Sequence, residues 1–136
     1  MNSNRGNGPV VLDAEGLSHI ITKDHYMLTL LEETRATQVP IVISAVTLVE
    51  VVHPRINRAA LVWTLSRLRV EPVTEDLSLA AANLLQAAGK HGHTHALDAI
   101  VCATALAAQG HATIFTSDPT DIEALVAGRA TVVPLH

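Results

Sequence analysis

Thirteen aspartates and glutamates are spread through 136 residues, and four of them stand among apolar neighbours. Asp13 closes the run Val10-Val11-Leu12, and Glu50 lies inside Val46-Thr47-Leu48-Val49-Glu50-Val51-Val52. Asp98 interrupts the apolar stretch from Ala96 to Val101, and Asp118 follows Ile114-Phe115-Thr116. An ionised carboxylate beside a core is costly unless a base or a metal ion compensates it. Only nine lysines and arginines are available to do so. Carboxylates brought together repel, and a divalent cation relieves that repulsion. Hard oxygen donors with no cysteine cluster favour Mg²⁺ or Mn²⁺ over zinc. Such a centre polarises a phosphodiester and activates water for its hydrolysis. Singly, each acid has a plainer reading. Asp118 with Pro119 and Asp121 makes an ordinary helix start, and Asp98 lies near one, where the helix dipole favours it. Glu50 has no such capping role.

The elements that must position these acids follow from hydrophobic periodicity. Val10 to Asp13 and Pro40 to Ser44 read as buried parallel strands, with a helix over 14–38 between them. Ser44 is placed to cap a helix over 45–52, which Pro54 ends. A helix follows over 56–68, then a proline-interrupted edge strand over 69–73. Thr74 caps a helix of regular i, i+3, i+4, i+7 pattern that Gly89 stops. Thr94 is placed to cap a helix over 95–109, and Gly110 closes it. Residues 113–116 read as a strand, 119–127 as a helix with Pro119 in its first turn, and 130–134 as a last strand. Strands alternating with helices imply a three-layer α/β/α sandwich on a mostly parallel sheet. In such a sheet the carboxyl ends of the strands share one edge, where ligands bind. Asp13 and Asp118 meet there if the first and fourth strands are neighbours. Glu50 leaves the second strand on its helix, and Asp98 enters the fourth. Replacing Asp13 or Asp98 with Asn should then relieve repulsion without loss of stability.

Composition narrows the functions. Hydrophobic residues are 49% of the chain and aromatics 2%, so a packed core of small aliphatics is expected and a base-stacking single-strand binder is not. The net charge of −4 carries no overall basic field for nucleic acid. A single cysteine, Cys102, excludes an internal disulfide and suits a reducing cytoplasm. Residues 1–8 are polar and Gly-rich and read as a disordered leader, with one domain over 9–136. No apolar run reaches the ~18 residues of a membrane span.

The segments Val10-Val11-Leu12-Asp13, Ala45-Val46-Thr47-Leu48-Val49-Glu50, His95-Ala96-Leu97-Asp98-Ala99-Ile100-Val101-Cys102-Ala103 and Thr116-Ser117-Asp118-Pro119-Thr120-Asp121 resemble, in order and spacing, the motifs of PIN-domain ribonucleases. The nearest resemblance is to the toxins of VapBC-type toxin–antitoxin pairs, over residues 10–134. It implies a PIN-like α/β/α fold and RNA hydrolysis dependent on Mg²⁺ or Mn²⁺. It also implies a homodimer and a cognate antitoxin partner. Carried over, the catalytic acids are Asp13, Glu50, Asp98 and Asp118, and the metal ligands Asp13, Asp98 and Asp118 with Asp121 as an accessory acid. Thr116, in the last motif, joins the substrate contacts. Glu15 departs from the family, which often has a small polar residue there.

Other residues carry competing readings. Arg55, Arg58, Arg67 and Arg69 could hold RNA phosphates beside the acids, or line a solvated helix face. His91, His93 and His95 alternate in a Gly-containing stretch that reads as a flexible loop before a helix rather than a zinc site. His95, one turn before Asp98, is placed to touch substrate or the acids. Cys102 reads as a small core residue. The helices spanning 16–37 and 45–68 carry enough apolar residues to form a groove for an amphipathic partner helix. A phosphoacceptor domain would want paired acids after the first strand and a lysine after a late one; the lysines are Lys23 and Lys90. A dinucleotide-binding domain would want a Gly-rich turn where Asp13-Ala14-Glu15-Gly16 stands. A PIN-like module that binds RNA or protein without catalysis is the stronger alternative.

Overall fold

A computed structural model describes residues 7–135. Five strands form one parallel sheet: β1 (Asn7–Leu12), β2 (Ile41–Ser44), β3 (Arg69–Glu71), β4 (His111–Thr116) and β5 (Thr131–Pro134), in the order β3-β2-β1-β4-β5. Successive side chains of a strand face opposite sides, and here both sides are apolar, which is what a sheet covered by helices requires. Val11, Val42, Ala112 and Ile114 point into one core, closed by α5 (Glu75–Ala88), α6 (Gly92–Ala107) and α7 (Pro119–Val126). Leu12, Ile41, Ile43 and Phe115 point into the other. That second core is closed by α1 (Ala14–Ile21), α2 (His25–Ala36), α3 (Thr47–Val51) and α4 (Arg58–Leu65). The three-layer α/β/α sandwich is therefore as expected from the alternation of elements.

The first and fourth strands are neighbours. Leu12 pairs with Phe115 and Val11 with Ile114, so the chain leaves both strands at the same level of the sheet edge. β3 is an edge strand, as its proline suggested. Thr74 caps α5 by accepting from the Leu77 amide, and Gly89 ends it at φ +67°.

Several boundaries differ from expectation. The expected helix over 14–38 is two helices. Lys23 turns left-handed at φ +64°, and Asp24 starts α2 by accepting from the Met27 amide. Ser44 does not cap a helix: its hydroxyl accepts from the Val46 amide in a tight turn, and α3 is only Thr47–Val51. Asn57 caps α4 by accepting from Ala60 N, which shortens the expected 56–68 helix at both ends. Asn7 and Gly8 belong to β1 rather than to a leader; residues 1–6 of that expected leader lie outside the described residues.

Candidate metal centre

Asp13 sits where β1 gives way to α1, and both of its carboxylate oxygens are engaged. Oδ1 accepts from the Gly16 amide at 2.9 Å as the α1 N-cap, and Oδ2 accepts from the Ser117 amide, also at 2.9 Å. Its own amide donates to Phe115 O. Asp13 is thus buried and ties the exit of β1 to the exit of β4. Asp118 follows on that second exit. Its amide donates to Thr116 Oγ1 at 2.9 Å, and its exposed side chain makes no capping bond to α7, leaving the carboxylate open to the sheet edge.

The other half of the site comes from α6 and α7. α6 begins at Gly92, three residues earlier than expected, with Thr94 inside it and helical geometry interrupted at His95 (φ −123°, ψ 16°). His93 therefore lies in the first turn of a kinked helix, with His91 extended at its N-cap, and the stretch is not a long loop. His95 and Asp98 are three residues apart on α6, a spacing that sets side chains on one helix face. Asp121, in the first turn of α7, meets them: one ligand atom each from His95, Asp98 and Asp121 lie within 4.8 Å of one another. Lys90 Nζ stands 3.3 Å from Asp121 Oδ1, and His95 Nδ1 stands 3.9 Å from Asp121 Oδ2.

Electrostatics join the two halves. Burial, followed by the charges of Asp118, Asp121 and Asp13, pushes the Asp98 carboxyl up to about 6, against a smaller opposing pull from His95. Glu50 is also raised, by what shielding it has and then by Asp13 and Asp118. All five acids therefore share one field, the condition under which a divalent cation is stabilising. The donor set of carboxylates and one imidazole fits such an ion.

Two expectations need correction. Glu50 is not embedded among apolar neighbours: its side chain is exposed, and so is Val49, at 78%. The apolar run around it faces solvent as much as core. Thr116 is fully buried, with its hydroxyl committed to the Asp118 amide, so it positions an acid and offers no surface to a substrate. Arg55 and Arg58 are exposed and form no ion pair among the described residues; Arg55 lines a cleft of about 400 Å³ with Ser18, Thr22 and His53. Glu15 is exposed at the start of α1, near His19 (3.8 Å). The sequence reading gave Lys90 no place beside the acids, and gave Asp121 that of an accessory acid among the metal ligands. The signal for Lys90 was one of only two lysines standing next to the histidine triplet.

No family model and no curated protein sequence matches the chain. Solved structures do. The chain superposes on a chain of the structure of VapBC2 from Rickettsia felis bound to a promoter DNA fragment with a TM-score of 0.68, at 17% identity, over 93% of this chain and 98% of that one. The fold is PIN-like. The PIN-like chain also matches FitAB bound to an IR36 DNA fragment (TM-score 0.64, 19% identity, 92% of this chain and 94% of that one). FitAcB from Neisseria gonorrhoeae matches with a TM-score of 0.62, at 19% identity, over 90% and 95% of the two chains.

Proposed function

We propose that the chain is a metal-dependent endoribonuclease and the toxin of a toxin–antitoxin pair. The observation that carries this reading is the cluster of His95, Asp98 and Asp121 in a PIN-like fold, with the Asp98 carboxyl raised by burial and then by the charges of Asp118, Asp121 and Asp13. His95, Asp98 and Asp121 would hold the cation, and the charges of Asp13 and Asp118 would favour it. A bound Mg²⁺ or Mn²⁺ supplies Lewis acidity toward a phosphodiester and lowers the pKa of water. The chain's own part is positioning. The Asp13 carboxylate is locked by two backbone amides, Thr116 fixes the Asp118 backbone, and Asp98, pushed up to about 6, is the acid suited to proton exchange, with Glu50 also raised. Exposed Arg55 and Arg58 are suited to RNA phosphates, which they would meet as mobile cations.

The partner reading rests on the surface. Val49, Val52, Val62 and Trp63 are exposed on and around α3 and α4, with the Arg67 guanidinium 4.3 Å over the Trp63 ring. Two of the similar structures contain the paired complexes VapBC2 and FitAB, each with DNA. An antitoxin covering this apolar face, a homodimer and a cytoplasmic setting belong to the same reading; among the described residues no helix is long and apolar enough to cross a membrane.

The deciding experiment is RNA cleavage by the purified chain with Mg²⁺, with Mn²⁺ and with chelator, beside growth on expression with and without a co-expressed neighbour-encoded protein. Cleavage that requires metal and is lost in Asp98→Asn supports the enzyme. Metal binding or RNA binding without cleavage returns the chain to the class of non-catalytic modules, and a chain that is benign at high expression and copurifies with nothing is not a toxin.

A further inference from the structure

An all-carboxylate centre would select hard cations, but the cluster on α6 and α7 is not all carboxylate. His95 brings a ring nitrogen to within 4.8 Å of one oxygen each of Asp98 and Asp121. No hydrogen bond holds the His95 ring among the described residues, and its nearest charged group, Asp121 Oδ2, is at 3.9 Å, too far for one. The ring is partly buried, with 24% of its side-chain surface exposed. The backbone contributes as well. Helical geometry breaks at this residue, so the first turn of α6 departs from the axis that carries Asp98. The other two histidines of the stretch lie differently: His91 and His93 are exposed, their rings 6.0 Å apart, and neither shares a group with the acids.

Imidazole is a borderline donor. It binds Zn²⁺, Ni²⁺ and, less strongly, Mn²⁺, whereas Mg²⁺ prefers oxygen and retains its waters. Zinc is bound by histidine nitrogen and by carboxylate oxygen alike, so this mixed donor set suits it. We infer that His95 is a metal ligand that tilts this centre toward borderline first-row cations and away from Mg²⁺. The inference rests on the proposed divalent site and adds to it which ion the site prefers and which residue decides it.

The test uses the purified full chain stripped of metal, titrated calorimetrically with Mg²⁺, Mn²⁺ and Zn²⁺ in separate runs. The expected order of affinity is Zn²⁺ above Mn²⁺ above Mg²⁺. In His95→Ala the Zn²⁺ and Mn²⁺ affinities should fall by about tenfold or more, since losing even an outer-shell partner of a metal site costs that much. The Mg²⁺ affinity should change far less. Pulsed electron paramagnetic resonance of the Mn²⁺-loaded wild-type chain should show coupling to an imidazole nitrogen that changes on ¹⁵N-histidine labelling. That coupling should persist when His91 and His93 are both replaced by Ala, and it needs no altered His95 should that variant fail to fold. A Mn²⁺ signal without nitrogen coupling, or a preference for Mg²⁺ in the wild-type chain, overturns the inference while leaving the divalent site standing. Absence of any cation binding that Asp98→Asn abolishes overturns the site itself.

Discussion

Replacing Asp98 with Asn should stabilise the metal-free chain, and the size of the effect can be worked from its surroundings. The carboxyl titrates at about 6 against an ordinary 3.8, first because of burial and then because Asp118, Asp121 and Asp13 repel its charge. At about 1.36 kcal/mol for each tenfold change in proton affinity, keeping it ionised costs the fold about 3 kcal/mol before screening. The group is only half-buried, and water screens it, so about 1–1.5 kcal/mol is the expected effect. The folded state holds this proton more tightly than the unfolded one, so protonation favours folding. The cost is absent below the ordinary aspartate range, grows as pH rises through about 6, and is complete above it. Asn has the shape of Asp and no charge. In urea denaturation with chelator, Asp98→Asn should therefore exceed the wild type by that amount near pH 7.5, and by about half of it near pH 5. Saturating Mn²⁺ should reverse the order, because only the wild type binds it well. An Asn variant no more stable than wild type near pH 7.5, or a gap that does not narrow on acidification, would refute a shared repulsive field at Asp98.

Asp13→Asn should behave in the opposite way, contrary to the expectation from relieved repulsion alone: its two oxygens accept from separate amides, Gly16 N and Ser117 N, and an Asn side chain has one acceptor, so a loss of about 1–3 kcal/mol is expected with or without chelator. Lys90→Met removes an ammonium 3.3 Å from Asp121 Oδ1 that competes with a bound ion. Cation affinity by calorimetry should rise by up to about fivefold, the equivalent of about 1 kcal/mol for a partly exposed pair. Gly110→Ala puts a Cβ 2.6 Å from Asn7 O on a residue at φ +86°; it should cost about 1–3 kcal/mol in thermal or urea unfolding and leave cation affinity unchanged.

What the sequence disclosed and what it hid have separate physical causes. The sheet was legible because fully buried strands such as Ile41–Ser44 are continuous apolar runs with turns on either side. That Asp13 and Asp118 stand at one edge of the sheet was legible because each follows an apolar run that reads as a parallel strand. The break between α1 and α2 was not, since apolar periodicity runs across it and the left-handed residue is a lysine, a type that does not advertise that conformation. Glu50 was placed too deep for a related reason. A stretch rich in valine reads as core, yet Val49 and Val52 face solvent, and periodicity cannot tell an exposed apolar surface from an interior. Asp121 and Lys90 were undervalued because their meeting depends on how α5, α6 and α7 pack, which no local pattern encodes.

The lock between Asp13 and Ser117 also sets a clock. The hydrogen bond joins residues 104 positions apart, and β4 is the strand that pairs with the far side of β1. At roughly 5–20 residues per second of synthesis, about 5–20 s pass between the emergence of the two partners. Throughout that interval the apolar edge of β1 has no strand to satisfy it, and such an edge is a template for unwanted pairing. A nascent chain of this kind is therefore sticky before it is competent, and the site comes into being only once β4 has been made and zips onto β1.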